Sequence, residues 1–206
     1  GNQFLLMGSE DGWIESQARW EMPPFDRFQM AWGSVFSDFN NDGLIDLMVS
    51  TSDFAEAGHE KFPIWFLQQT DHWTFEERGE ELGFPQKAGG RGVVAHDINQ
   101  DGILDFLIAD AFGAPWMYLS QGCTKDHWVE VEAPKGSIVR VHAGGSTWTM
   151  LATTDPGFAV SQPSSVHIGL GSTARIDSIE VDIPYQGTAT LKGPIQANRR
   201  LVVHGL

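Results

Sequence analysis

Asp38-Phe39-Asn40-Asn41-Asp42-Gly43-Leu44-Ile45-Asp46 carries side-chain oxygens at positions 1, 3, 5 and 9, with a glycine at position 6. The pattern returns 59 positions later as Asp97-Ile98-Asn99-Gln100-Asp101-Gly102-Ile103-Leu104-Asp105. Hard cations such as calcium are held by oxygen ligands at this spacing, and glycine at position 6 permits the sharp turn. The expected ligands are Asp38, Asn40, Asp42 and Asp46 in one loop and Asp97, Asn99, Asp101 and Asp105 in the other. Leu44 and Ile103 would add backbone carbonyls at position 7, giving two Ca2+ sites. Three aspartates within nine residues repel one another unless a cation is present. At ordinary residue frequencies five such matches arise roughly once in two million starting points, so a double occurrence is not chance.

The elements around these loops are strands. An EF-hand would close with glutamate at position 12 between two helices. Here position 12 is Val49 in one copy and Ile108 in the other. The apolar runs Leu47-Met48-Val49 and Phe106-Leu107-Ile108 read as buried strands, and Gly33–Ser37 and Gly92–His96 as their partners. Each cation would therefore sit in a hairpin turn. Asn2–Met7 with Asp11–Glu15, and Trp65–Gln69 with Trp73–Glu77, read as further strand pairs. A third, weaker pair is Trp116–Ser120 with His127–Val131. Four short strands per 60-residue unit predict propeller blades, and two units form a partial or open propeller, since a ring needs four or more. The chain begins in mid-unit, which favours further blades upstream over a curtailed form that covers its open edges by other means. Pro23-Pro24 marks an irregular connection, and Ser52–Phe62 a polar loop.

After Ala133-Pro134-Lys135-Gly136 the acidic loops cease. His127–Glu132, Ser137–Ala143, Thr147–Thr153, Ser165–Leu170, Ile176–Ile183, Thr188–Leu191 and Arg200–His204 read as strands at sandwich or barrel spacing. The expected organisation is all-β: a repeat region over 1–124 and a small β-sandwich or barrel over 125–206.

Composition narrows the function. The formal charge is −14, and two calcium ions would bring it to −10. Such acidity argues against nucleic acid, whose phosphates require lysine and arginine. No apolar run reaches the length of a membrane span. Gly1–Phe4 has no leader-like character, so any targeting segment is expected to lie outside this sequence. Cys123, the single cysteine, permits no internal disulfide and sits in a turn-like stretch. Gly169-Leu170-Gly171-Ser172-Thr173-Ala174 fits a dinucleotide fingerprint only formally, because a strand rather than a helix follows. The seven histidines, including His96 beside the second loop, show no zinc spacing, and no G-x-S-x-G elbow is present. No catalytic residues are expected. The eight tryptophans suit β cores, with a glycan-stacking surface as the alternative.

The two loops with their flanking strands resemble FG-GAP/VCBS repeats. Gly136–Val141, Gly157–Gln162, His167–Gly171 and Ile176–Val181 leading to Pro184 are similar to the ASPIC/UnbV domain, found after such repeats in the family of cartilage acidic protein and its bacterial relatives. One departure is Ile183-Pro184-Tyr185-Gln186-Gly187, where that family has Trp-Pro-Ser-Gly. The resemblance implies a non-enzymatic, calcium-stabilised binding or scaffold module in an extracytoplasmic setting, periplasmic or secreted, with another protein or a larger assembly as partner. The alternatives are an accessory subunit docked on a membrane-associated complex and, behind it, a carbohydrate-binding or carbohydrate-active protein.

Overall fold

A computed structural model of the chain describes residues 6–9, 12–15, 29–53, 62–71, 74–84, 87–121, 125–155 and 157–205. These residues form strands and turns and contain no helix. Cys123 and most of the polar loop Ser52–Phe62 lie outside them. Strands β1 (Leu6–Ser9) and β2 (Gly12–Glu15) pair antiparallel, with Met7 opposite Ile14.

The first blade is a four-stranded antiparallel meander of β3 (Met30–Ser37), β4 (Asp46–Ser52), β5 (Trp65–Asp71) and β6 (Thr74–Glu77). The second has three strands, β7 (Gly90–His96), β8 (Asp105–Asp110) and β9 (Trp116–Tyr118). In both, the acidic loop joins the first strand to the second, and the register closes at the loop's last aspartate. Ser37 lies opposite Asp46, and His96 opposite Asp105. The blades bury a shared core that includes Val35, Met48, Ile64, Val93 and Ile108. Phe39, the second residue of the first loop, inserts into it, with ring centroids 5.3 Å from Phe66 and 4.8 Å from Phe106. The loop is thereby tied to both blades by the hydrophobic effect as well as by its own turn. Among the described residues the blade sheets are open, and no ring closes.

Seven strands follow: β10 (His127–Glu132), β11 (Ile138–Ala143), β12 (Ser146–Leu151), β13 (Ser165–Gly171), β14 (Arg175–Ile183), β15 (Gly187–Gln196) and β16 (Arg199–Val202). They form a sandwich of two sheets, ordered β13-β10-β16 and β12-β11-β14-β15. Alternation in β11 and β14 sends Val139, Val141, Ile179, Val181 and Ile183 inward against Val129, Val131, Val166 and Ile168. The predicted pairing of Trp116–Ser120 with His127–Val131 does not form. β10 runs antiparallel to β13 and parallel to β16 instead, because its fully buried Val129 and Val131 complete the sandwich core. In the turn after β14, Tyr185 takes φ 63° and stands fully exposed, and Gly187 takes φ 112°.

Candidate functional site

The two acidic loops have the same internal hydrogen bonds. In the first, the Asp42 amide donates to Asp38 Oδ1 (3.1 Å) and Asn40 Oδ1 (3.1 Å), and the Gly43 amide to Asp38 Oδ2 (2.7 Å). The Leu44 amide donates to Asp42 Oδ1 (2.8 Å), and Asn40 Nδ2 to Asp42 Oδ2 (2.8 Å). The second loop repeats all five, with Asp101, Gly102 and Ile103 amides on Asp97, Asn99 and Asp101 oxygens at 2.8–3.1 Å and Asn99 Nδ2 on Asp101 Oδ2 at 2.9 Å. Gly43 and Gly102 sit at φ 90° and 89°, a conformation that favours glycine.

The ninth-position aspartates fasten each loop to its blade. Asp46 accepts from the Phe39 amide (3.0 Å) and the Gln69 amide (2.8 Å). Asp105 accepts from the Ile98 amide (2.9 Å) and the Ser120 amide (2.8 Å). Asp38, Asp46, Asp97 and Asp105 are all buried, yet among the described residues none of the six loop aspartates forms an ion pair. Burial, with the nearby Asp42 and Asp46 carboxylates and against the Gly43 amide, pushes Asp38 up to about 8. Burial likewise pushes Asp46 up to about 7. Desolvation of negative charge is the main cause, and a cation bound there would relieve it.

The side chains thus fit a hard cation by donor type: carboxylate and amide oxygens at positions 1, 3, 5 and 9, with position 7 held on the fifth-position aspartate. Among the described residues no three His, Cys, Asp or Glu side chains already converge as a metal cluster, and Asp46 and Asp105 point their oxygens at backbone amides.

The C-terminal sandwich seats directly on both loops, which the sequence reading missed. Asn41, buried and at φ 64°, donates through Nδ2 to the Gly102 carbonyl (2.9 Å) and so ties the first loop to the second. Its Oδ1 lies 2.7 Å from His167 Nε2, and its carbonyl accepts from the Gly171 amide (2.9 Å). Trp148 Nε1 donates to the Gly43 carbonyl (3.2 Å). The Trp128 indole covers Gly102, where a Cβ would overlap the ring, and stacks on His167 at 5.6 Å. Gly169 faces Asp38 and Asn41 so closely that a Cβ would lie 2.5 Å from Asn41 Cα. The one signal for this seam was the run His167-Ile168-Gly169-Leu170-Gly171, where glycines and a histidine interrupt an otherwise buried strand.

Gly169–Ala174 passes from β13 through a turn into β14, not into a helix. Trp65 is buried, and Trp32 lies under the Arg91 guanidinium at 4.2 Å; Trp20 and Trp73 lie outside the described residues, as does the Trp13 side chain. His96 lines a cavity together with Asp97 and Leu104 of the second loop. No described helix is long and apolar enough to cross a membrane.

Among curated proteins none matches the chain. Residues 38–108, from the first aspartate of the first loop to the strand beyond the second, match the family model of an FG-GAP-like repeat. Residues 133–205 match that of ASPIC and UnbV. FG-GAP repeats are commonly protein-interaction domains, and the combination accords with a protein-binding or extracellular module. The chain carries an FG-GAP-like repeat followed by an ASPIC and UnbV domain.

Proposed function

We propose that this chain is a non-enzymatic binding or scaffold module whose fold is stabilised by two calcium ions, working outside the cytoplasm. The observation that carries the reading is the duplicated loop with buried, unpaired aspartates, on both copies of which the sandwich is seated. Asp38, Asn40, Asp42, Asp46 and the Leu44 carbonyl would hold one ion; Asp97, Asn99, Asp101, Asp105 and the Ile103 carbonyl would hold the other. Each ion supplies positive charge where the chain has collected negative charge. The residues do the rest: Phe39 anchors the first loop in the blade core, Asn41 joins the two loops, and Trp128, Trp148 and His167 close over them. Free calcium is near millimolar outside cells, where modules with dissociation constants of about 10⁻⁴ to 10⁻³ M load readily.

The test is a thermal melt of the chain in calcium and in chelator, with native mass read on the same sample. At a hundredfold excess over Kd each site contributes about 2.7 kcal/mol, so two sites raise Tm by about 10–20 °C. Asp42→Ala and Asp101→Ala should each remove one bound ion and about half the shift. Equal melting in calcium and chelator, with no calcium in the native mass, would defeat the reading.

A second reading, an accessory subunit in a larger assembly, is favoured by the edge of the second blade. Among the described residues β9 has a neighbour on one side only, and Trp116, Met117 and Leu119 are exposed along it. Open edges bearing apolar side chains are sites of strand addition by a partner. A chain that stays monomeric and fully soluble at high concentration, with Met117→Lys making no difference, would speak against it.

A further inference from the structure

The fourth residue of the first loop is Asn41 and that of the second is Gln100, both in the left-handed region at φ 64° and 62°. Their surroundings differ: Asn41 is 1% exposed, whereas Gln100 faces solvent. Asn41 Nδ2 donates to the carbonyl of Gly102, the sixth residue of the other loop, at 2.9 Å. The turn around that carbonyl carries the second loop's acids. The Gly102 amide is held on Asp97 Oδ2 (2.8 Å) and the Ile103 amide on Asp101 Oδ1 (2.9 Å). One side chain of the first loop therefore braces the backbone on which Asp97 and Asp101 of the second are set.

The sandwich repeats the linkage. Trp128 of β10 and Gly169 of β13 stand opposite one another in register. The Trp128 indole lies over Gly102 of the second loop, and Gly169 packs on Asp38 and Asn41 of the first. His167, in the same strand as Gly169, stacks on Trp128 (5.6 Å) and bonds Asn41 Oδ1 (2.7 Å). Two adjacent strands thus hold both loops, and in close packing a shift of either loop displaces atoms on which the other rests.

We propose that the two loops bind their ions cooperatively, with Asn41 as the positioning residue that transmits occupancy of the first loop to the second. This rests on the two calcium sites proposed above. Coupling between sites needs a shared element that both bias, and Asn41 with the Trp128–Gly169 pair supplies it. Ordering one loop removes part of the conformational entropy that the other would lose on binding. One net hydrogen bond corresponds to about fivefold in affinity, and the same factor applies in both directions. Repulsion between the ions works the other way, but salt at about 0.15 M screens it beyond about 8 Å and leaves the hydrogen bond intact.

The test is calcium titration of the whole chain against a chromophoric chelator at physiological salt, with bound ions counted by native mass. The unaltered chain gives the overall association constant for two ions. Asp42→Ala gives the constant of the second loop alone, and Asp101→Ala that of the first; the isosteric Asp42→Asn and Asp101→Asn serve where an alanine variant does not fold. Independent loops make the overall constant equal to the product of the single-loop constants. Coupling makes it larger, by at least about fivefold. Asn41→Asp keeps the acceptor for His167 and removes the donor to Gly102, and its added charge enters both sides of the ratio, which should fall toward one. Gln100→Ala, at the matching exposed position, should leave the ratio as it was. A ratio of one with two ions bound would overturn the coupling and leave the calcium sites standing, whereas a chain that binds no calcium would overturn both. A ratio above one that Asn41→Asp does not lower would overturn the role of Asn41.

Discussion

Gly169→Ala tests the seam between the sandwich and the first loop. A Cβ there would stand 2.5 Å from Asn41 Cα and 2.6 Å from Asp38 Cγ, where ordinary contacts begin near 3.4 Å. Neither atom is the loose end of a side chain, so β13 and the loop must part by roughly 1 Å. Overpacking of this kind costs about 1–3 kcal/mol. The parting also breaks the Gly171-to-Asn41 and His167-to-Asn41 hydrogen bonds, at about 1 kcal/mol each. The sum, about 3–5 kcal/mol, corresponds to a fall in Tm of about 6–20 °C for a chain of this size. Gly145→Ala is the control: its φ is +84° but no atom lies within 4 Å of the new Cβ, so it carries conformational cost alone, about 1–2 kcal/mol. Thermal melts of both variants decide the matter. A Gly169→Ala chain as stable as the Gly145→Ala chain would show that the sandwich does not bear on the loop.

Asn41→Ala should cost about 2–4 kcal/mol in denaturant titration, because it strands the His167 N–H and the Gly102 carbonyl together. In chelator, stability should fall as pH rises from about 4 to about 8. Asp38 and Asp46 have folded-state values raised above the unfolded one, so their contribution is complete below about 4 and is lost as each ionises. Melts at pH 5 and pH 8 check this, and Asp38→Asn should flatten the difference. Ile64→Ala, at a fully buried position in the core between the blades, should cost about 2–5 kcal/mol with calcium affinity preserved, as read by equilibrium dialysis.

The loops were legible because their chemistry is written in side-chain type at fixed local spacing: Asp, Asn, Asp, Gly and Asp each do their part within nine residues. Strand positions were legible for a related reason. Alternation in Ile179–Ile183 and apolar runs such as Leu47–Val49 reflect the surface each strand buries. Pairing was less so. The sequence around β10 suits a fourth blade strand and a sandwich strand equally, and only burial of Val129 and Val131 against distant strands decides between them. The seam was hidden for the same reason in stronger form. Asn41 and His167 stand 126 positions apart, and neither has a local pattern that announces the other.

The parallel pairing of β10 with β16 sets an order of assembly on the ribosome. Both blades have their strands once Tyr118 is made, but Val129 must wait 70 residues for Arg199. At synthesis rates of about 5–20 residues per second, that interval is several seconds, long compared with hairpin formation. Through it β10, which carries Trp128, has β13 on one side but lacks β16 on the other. Any ion the loops take up can therefore be bound before β16 completes this sheet. Stalled nascent chains that end before Arg199 should exchange calcium faster than released ones, a difference that a fluorescent chelator would time.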